Sequence, residues 1–301
     1  LGERVLEVAP IPEGHSGFTY WVRLEGRRAV LRLPPPGARI SGPADIPRQA
    51  RIIAGLGRTS VPVPAVLAES SDPVVDDRPF YLLEAVDGDR IEQLAPARRD
   101  RNLALEVVGR LRELHSVPIG ETGIGDEPPV AADVEVRRWS WLFGRAASDR
   151  AQAAPELESL LLKELPAPRP AAIVHGDYHY GNLLFKNGRV VAILDWEIAQ
   201  LGQPLNDLGT LALVAREAQA GRHPPPGTLG VEMPLGEVAE AYGLESAPEL
   251  NWYLALAYYK YAAIYAYNLM LHLRGKRPDP ANLRRIDAIP DFLAEGIALL
   301  R

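Results

Sequence analysis

Ile173-Val174-His175-Gly176-Asp177-Tyr178-His179-Tyr180-Gly181-Asn182-Leu183-Leu184-Phe185, with Ile193-Leu194-Asp195-Trp196-Glu197 after it, decides how this chain is read. Ile173 and Val174 are β-branched and apolar, as a buried strand end requires. His175-Gly176-Asp177 breaks that run, and Leu183 to Phe185 is a second short apolar run. Lys186-Asn187-Gly188-Arg189 follows, and Asn-Gly between apolar runs is a strong hairpin signal. Val190 to Leu194 is then the return strand, and the hairpin folds Asp195 back towards Asn182 and Asp177.

That geometry suits phosphoryl transfer. The reaction needs a carboxylate to orient the attacking hydroxyl and hard oxygen ligands to hold magnesium on the phosphates. Asp177 is the candidate base, and Asn182 and Asp195 are the candidate metal ligands. An ordinary hairpin with three solvated polar residues is the plainer alternative, but three such residues at this spacing, framed by strands, favour a site. The Asp177–Asn182 interval matches the catalytic loop of protein kinases, and Asp195 falls where their metal-binding Asp lies. The opening His175-Gly176-Asp177 and the closing Asp195-Trp196 resemble more closely the aminoglycoside phosphotransferase and choline kinase-like family of small-molecule kinases.

The resemblance covers nearly the whole chain and is most specific at residues 173–197. It implies an α+β, bilobal, protein-kinase-like fold. Residues 1–86 would form an antiparallel-sheet N-lobe that binds nucleotide, and residues 87–301 a mainly helical C-lobe that carries catalysis and substrate. It also implies ATP and Mg2+ as cofactors.

Composition agrees with an enzyme of that size. The chain has 301 residues, 47% of them hydrophobic, enough for a large core in one domain or two lobes. A net charge of −6 leaves no basic footprint for a nucleic-acid partner. The absence of cysteine excludes disulfides and cysteine–zinc sites. A reducing cytoplasm fits, and Leu1-Gly2-Glu3-Arg4 lacks the apolar core of a signal peptide. Trp252 to Leu273 is the most membrane-like stretch, but Lys260 near its centre marks it as a core helix. The expected partner is a small-molecule hydroxyl compound, with neither nucleic acid nor membrane.

Residues 5–33 read as three strands, Val5–Val8, Thr19–Leu24 and Ala29–Leu33. The Gly-containing link between the first two can lay backbone N–H groups over phosphates. Similar loops in the phosphotransferases contact ATP, which makes Ser16 and Gly17 candidates. On the third strand, kinases place a lysine that holds phosphates and pairs with a helix glutamate. Here Arg32 stands in that place, and Gln49, on a helix from about Pro47 to Leu56, stands where the relatives commonly have Glu. Arginine can fork onto phosphate oxygens, with Gln49 orienting it by a hydrogen bond. Phe80 to Val86 runs as a strand into Asp87-Gly88-Asp89. Kinase folds read adenine with backbone groups at this hinge, so Glu84 and Val86 are candidates and the lobe boundary falls here.

Leu103, Val107, Leu111 and Leu114 share one face of a long core helix ending near His115, read as a structural histidine. Residues 131–147 and 155–165 are helical, with Trp139, Trp141 and Phe143 packing in the core. Glu197 lies beside the candidate metal ligand and is a candidate for substrate or support. Asp207 reads as an N-cap before Leu208, Leu211 and Leu213. By the resemblance it also hydrogen-bonds back to the catalytic loop. Tyr258, Tyr261 and Tyr265 share a face and read as packing. Eight acids against three bases between Glu197 and Leu273 read as solvated helix faces rather than an acidic cleft for a polycationic acceptor.

The expected function is ATP- and Mg-dependent transfer of the γ-phosphate to a hydroxyl of a small molecule. The alternatives are a nucleotide-binding protein of the same fold without phosphotransfer, suggested by Arg32 and Gln49, and a nucleotidyl transferase. The acceptor stays open among an antibiotic, an amino alcohol, a sugar and a hydroxyacyl thioester.

Overall fold

In a computed structural model, which describes residues 2–11, 17–146, 149–220 and 229–301, the first strands are β1 (Val5–Pro10), β2 (Phe18–Leu24) and β3 (Arg28–Leu33). β4 (Val66–Val75) and β5 (Arg78–Glu84) complete an antiparallel sheet in the order β1-β2-β3-β5-β4. β4 extends well past the Ala65–Ala68 expected, because it pairs with β5 as far as Val75↔Arg78. Helix α1 (Ile46–Leu56) starts where the Asp45 side chain accepts from Arg48 N at 3.0 Å, a cap that satisfies one of the orphan donors of the first turn. Its buried Ile46, Ala50, Ile53 and Leu56 recur at helical spacing and join the main core, while Val22, Leu24, Ala29 and Leu82 form a small separate cluster.

The remainder is mainly helical: α2 (Arg101–His115), α3 (Ala132–Ala146), α4 (Ala154–Lys163), α5 (Leu205–Gln219), α6 (Leu235–Tyr242), α7 (Asn251–Leu273), α8 (Ala281–Arg284) and α9 (Ala288–Leu300). Asp100 caps α2 by accepting from Leu103 N at 3.0 Å, and Leu103, Val107, Leu111 and Leu114 are buried as the spacing predicts. α7 is the central pillar, packed against α3, α5 and α9. It buries residues on all sides, Lys260 included. Among the described residues no helix is long and apolar enough to cross a membrane. An antiparallel sheet followed by a mainly helical region is the α+β arrangement expected.

Two small sheets interrupt the helices. β7 (Leu183–Lys186) and β8 (Arg189–Ile193) form the expected hairpin, with Asn187 at φ 53 and Gly188 at φ 75 in its turn. That pair of left-handed residues matches the right-handed twist of the strands. β6 (Ala172–Val174) pairs with β9 (Gln200–Gly202), a three-residue strand absent from the sequence-based expectation. β6 ends just before His175, and β8 ends two residues before Asp195.

Further expectations need correction. Asp207 is not an N-cap: α5 begins at Leu205 after Pro204, and Asp207 lies inside its first turn. Trp139 is buried, but Trp141 is 59% exposed, because α3 turns that face to solvent. Tyr258 and Tyr265 do pack on Phe292, but Tyr261 turns away from it to another partner, described below. The acids after Glu197 are partly tied up within the fold: Arg101 pairs with Glu237, Arg169 with Glu249, and Tyr258 donates to Glu217. The solvated-face reading of that charge holds for the exposed Glu232, Glu240 and Glu245 and fails for Asp207 and Glu217, which are buried.

Candidate active site

Asp177 follows β6 through a bend, and its carboxylate meets four side chains. Tyr261 donates to Oδ1 at 2.5 Å, and Asn182 Nδ2 approaches Oδ2 at 3.3 Å. His179 Nε2 lies 3.3 Å from Oδ2, and Lys260 Nζ lies 3.6 Å from Oδ1. Lys260 also donates to the Gly176 carbonyl and lies 5.5 Å from the centre of the Trp139 ring. Burial alone would raise the Asp177 pKa. Attraction to His179 and to the Lys260 ammonium, with hydrogen bonds from His179 and Tyr261, outweighs it and holds the carboxyl well below its usual range. Tyr261 moves the other way: burial, then the Asp177 charge, push its phenol well up, so it stays a donor.

Asp207 fixes this loop from below. Fully buried, it accepts from His175 N at 2.7 Å and Gly176 N at 2.8 Å, and His115 Nε2 lies 3.1 Å away. The loop contact implied by the resemblance is present in the geometry. His115 bridges Asp207 and the Tyr242 hydroxyl, a structural placement. His175 Nδ1 accepts from Asp177 N at 3.2 Å, and its Nε2 faces Leu194 O at 2.8 Å, which requires the proton on Nε2. Burial first of all lowers the His175 pKa, which keeps the ring neutral in that tautomer. One imidazole thus ties the Asp177 loop to the end of the hairpin.

The hairpin brings the second carboxylate alongside. Leu194 N donates to Asn182 O at 2.8 Å, so Asp195 emerges next to Asn182. Asn182 uses its Nδ2 on Asp177 O (3.0 Å) and on the Asp177 carboxylate, and no hydrogen bond among the described residues engages its Oδ1. Asp195 sits at φ 64, a conformation that Asp tolerates better than most residues and that clusters at functional sites. Its Oδ1 is buried with no hydrogen-bond donor, and Arg32 Nη1 stands 3.4 Å from it. Arg32 Nη2 donates to Glu197 Oε2 at 2.7 Å. Burial would lower the Arg32 pKa, but Tyr81, Asp195 and Glu197 together raise it, so the guanidinium stays charged.

Two oxygens without donors, Asn182 Oδ1 and Asp195 Oδ1, are hard ligands of the kind magnesium takes. Among the described residues no group of three or more His, Cys, Asp or Glu is placed to hold an ion. A metal held here would therefore complete its shell with phosphate oxygens and water, as magnesium commonly does.

The nucleotide candidates divide. Gly17 lies beside Arg32: a Cβ on it would stand 3.3 Å from Arg32 Nε and 3.0 Å from Leu33 O. Ser16 lies outside the described residues. The Glu84 N–H donates to Ala65 O at 2.9 Å and the Ala85 N–H to Arg28 O at 3.2 Å, which leaves Val86 as the first hinge residue not tied to the sheet. Gln49 does not orient Arg32. Its amide donates to Pro43 O at 2.9 Å and accepts from the Tyr81 hydroxyl at 3.3 Å, which accounts for its burial on α1. Sequence reasoning passed over His179, Lys260 and Tyr261. A lysine at the centre of an apolar helix was the available signal, because a buried cation needs an anion nearby.

Residues 7–253 match the model of the phosphotransferase enzyme family. The chain belongs to that family. Among its named relatives, "Acyl-CoA dehydrogenase family member 11" of Homo sapiens is 30% identical over 87% of this chain and 36% of its own length. "Acyl-CoA dehydrogenase family member 10" of Mus musculus is 32% identical over 67% of this chain and 20% of its own. The chain thus spans about a third or less of the length of these two relatives. Among solved structures, a candidate aminoglycoside phosphotransferase from Ralstonia eutropha aligns with TM-score 0.78 at 23% identity, over 100% of this chain and 93% of that one. APH(4)-Ia in complex with ADP and hygromycin B aligns with TM-score 0.66 at 17% identity, over 99% and 94%. The phosphotransferase chain therefore has the kinase-like fold of these enzymes.

Proposed function

We propose that this phosphotransferase moves the γ-phosphate of ATP, as its magnesium complex, to a hydroxyl of a small molecule. The observation that carries the reading is that Asn182 bonds to Asp177, that the Leu194–Asn182 backbone bond sets Asp195 next to Asn182, and that Arg32 of the sheet pairs with Asp195. In this reading residues 1–86 are the nucleotide lobe, with Gly17, Arg32, Glu84 and Val86 lining its site and Ser16 a candidate from the sequence alone, and residues 87–301 carry catalysis. Asn182 and Asp195 would hold magnesium, which when bound neutralises charge on the transferring phosphoryl group.

Asp177 accepts the hydrogen bond of the acceptor hydroxyl and aims its oxygen. A carboxylate can accept from about four directions; Tyr261, Asn182 and His179 lie within hydrogen-bond distance of it and Lys260, at 3.6 Å, does not, which leaves room for one more. Held well below its usual range, Asp177 is a weak base. It receives the proton late, once the oxygen has begun to bond to phosphorus, which suits a loose transition state. Tyr261 and Lys260 keep the carboxylate ionised and fixed in direction. The solved relatives bind nucleotide together with hygromycin B or kanamycin, and the sequence relatives carry acyl-CoA dehydrogenase names. They put an aminoglycoside and a hydroxyacyl thioester among the acceptors to compare, beside the amino alcohol and the sugar that the sequence leaves open.

The test incubates the chain with ATP labelled at the γ-phosphate and each acceptor, with and without Mg2+. The expected result is label on one acceptor class in the presence of Mg2+ alone, with ADP as coproduct. Release of pyrophosphate would identify nucleotidyl transfer instead. Nucleotide binding without turnover of any acceptor or of water would identify a non-catalytic member of the fold.

A further inference from the structure

Two positions depart from the kinase pattern, Arg32 and Gln49, and the structure connects Arg32 to an acid elsewhere in the chain. Gln49 is engaged by Pro43 O and the Tyr81 hydroxyl on the α1 side. Arg32 donates to Glu197, in the segment between β8 and β9. The pair is well sheltered, with side chains 13% and 20% exposed, so the attraction is weakly screened by solvent. Its second edge, Nη1, faces the donor-free Oδ1 of Asp195.

We propose that Glu197 is the positioning residue that aims Arg32 at the nucleotide phosphates, the part an acid on α1 would otherwise take. The proposal rests on the phosphotransferase reading above. Guanidinium carries five N–H donors in a rigid fork. Glu197 fixes one of them at Nη2, which orients the whole plane. Nη1 is then the edge that turns between Asp195 and phosphate oxygens. The anchor belongs to the segment that bears Asp195, so the cation on the sheet and the candidate metal ligand are set by the same few residues. Glu197 touches neither phosphate nor acceptor in this scheme and acts through Arg32.

A double-mutant cycle tests it. Binding of ADP with Mg2+, and of ADP with chelator, is measured by titration calorimetry for the unaltered chain, Glu197→Gln, Arg32→Ala and the double variant, with a melting curve for each. Both single changes are expected to weaken binding by about tenfold, and the double change no more than Arg32→Ala alone, as for residues that work as one unit. The loss from Glu197→Gln should persist with chelator, because Arg32 acts on phosphate. Glu197→Asp, which keeps the charge on a shorter stem, should lose less, and it carries the test should Glu197→Gln fail to fold. Multiplicative losses, or a Glu197→Gln loss that vanishes with chelator, would make Glu197 an independent metal ligand and overturn the proposal. Unchanged affinity in Glu197→Gln would also overturn it. If the unaltered chain bound no ADP at all, the proposed function itself would fall.

Discussion

Asp177 and Asp195 are carboxylates of one continuous stretch, and their surroundings are opposite. Asp177 has Tyr261, Asn182, His179 and Lys260 within 3.6 Å. Asp195 keeps a buried Oδ1 that no hydrogen bond among the described residues engages, with Arg32 Nη1 in an ion pair at 3.4 Å. A buried polar oxygen without a partner is normally disfavoured. The fold has therefore surrounded one carboxylate with hydrogen-bond donors and left the other, at positive φ, with Arg32 beside it, which in the proposed function is where a cation would bind. The proposed function gives each group a separate role, so stability and function can be separated by changing one at a time.

The largest expected effect comes from Asp177→Asn. Loss of the proton acceptor should lower kcat by about 10²–10⁴-fold. Four donors then face a carboxamide, so the melting temperature should fall as well. Steady-state kinetics on ATP turnover, corrected for folded fraction, checks this. Full specific activity in the folded variant would make Asp177 a structural acid only. Next comes Asp195→Asn, which suits the left-handed backbone and removes the charge. Mg-dependent nucleotide affinity should fall by about a hundredfold or more, since even outer partners of metal ligands are worth 10–100-fold. Ligand-free stability should change by less than about 1 kcal/mol. Calorimetry with and without Mg2+ would break the contrast if Asp195→Asn melted early and still bound Mg-ATP normally.

The pH dependence of stability sharpens the same contrast. The Asp177 carboxyl lies well below its ordinary 3.8 in the folded chain. A depressed carboxyl contributes stability that is full above the unfolded value and is lost as pH falls through the folded one. The gap in melting temperature between the unaltered chain and Asp177→Asn should hold steady above about pH 5 and narrow below about pH 4. A gap that widens on acidification would reverse the sign and refute the assignment. The smallest effect concerns the hairpin that joins the two regions. Gly188→Val forces a β-branched residue to φ 75 in an exposed turn, with a loss of about 1–3 kcal/mol. Mg-ATP affinity of the folded fraction should be unchanged, and an unaltered melting temperature would mean that the turn carries no strain.

The hairpin, α2 and the burial of α7 were legible because each rests on a local pattern: Asn-Gly, a spacing of three and four, an apolar run. Asp207 was misplaced as a cap for the same reason. Its partners, His175 and Gly176, are distant in sequence, and a local reading sees only the helix that follows. β9 is too short to announce itself without β6 beside it. Gln49 looked like a partner for Arg32 by analogy, but Tyr81 and Pro43 reach it first. Lys260 was noticed only as an argument against a membrane span. Its burial was right, and the anion that makes burial tolerable was the missing inference.

Arg48, on α1, forks onto Glu127 at 2.8 and 2.6 Å and donates to Ala199 O at 2.9 Å. Both partners belong to the helical region. Swinging α1 outward would have to break all three contacts together and strip a sheltered ion pair. The helix is thus mechanically part of the lower body, although the chain places it within the sheet. Displacing this helix would cost those three contacts, whereas the strands beside it carry no such tie through Arg48.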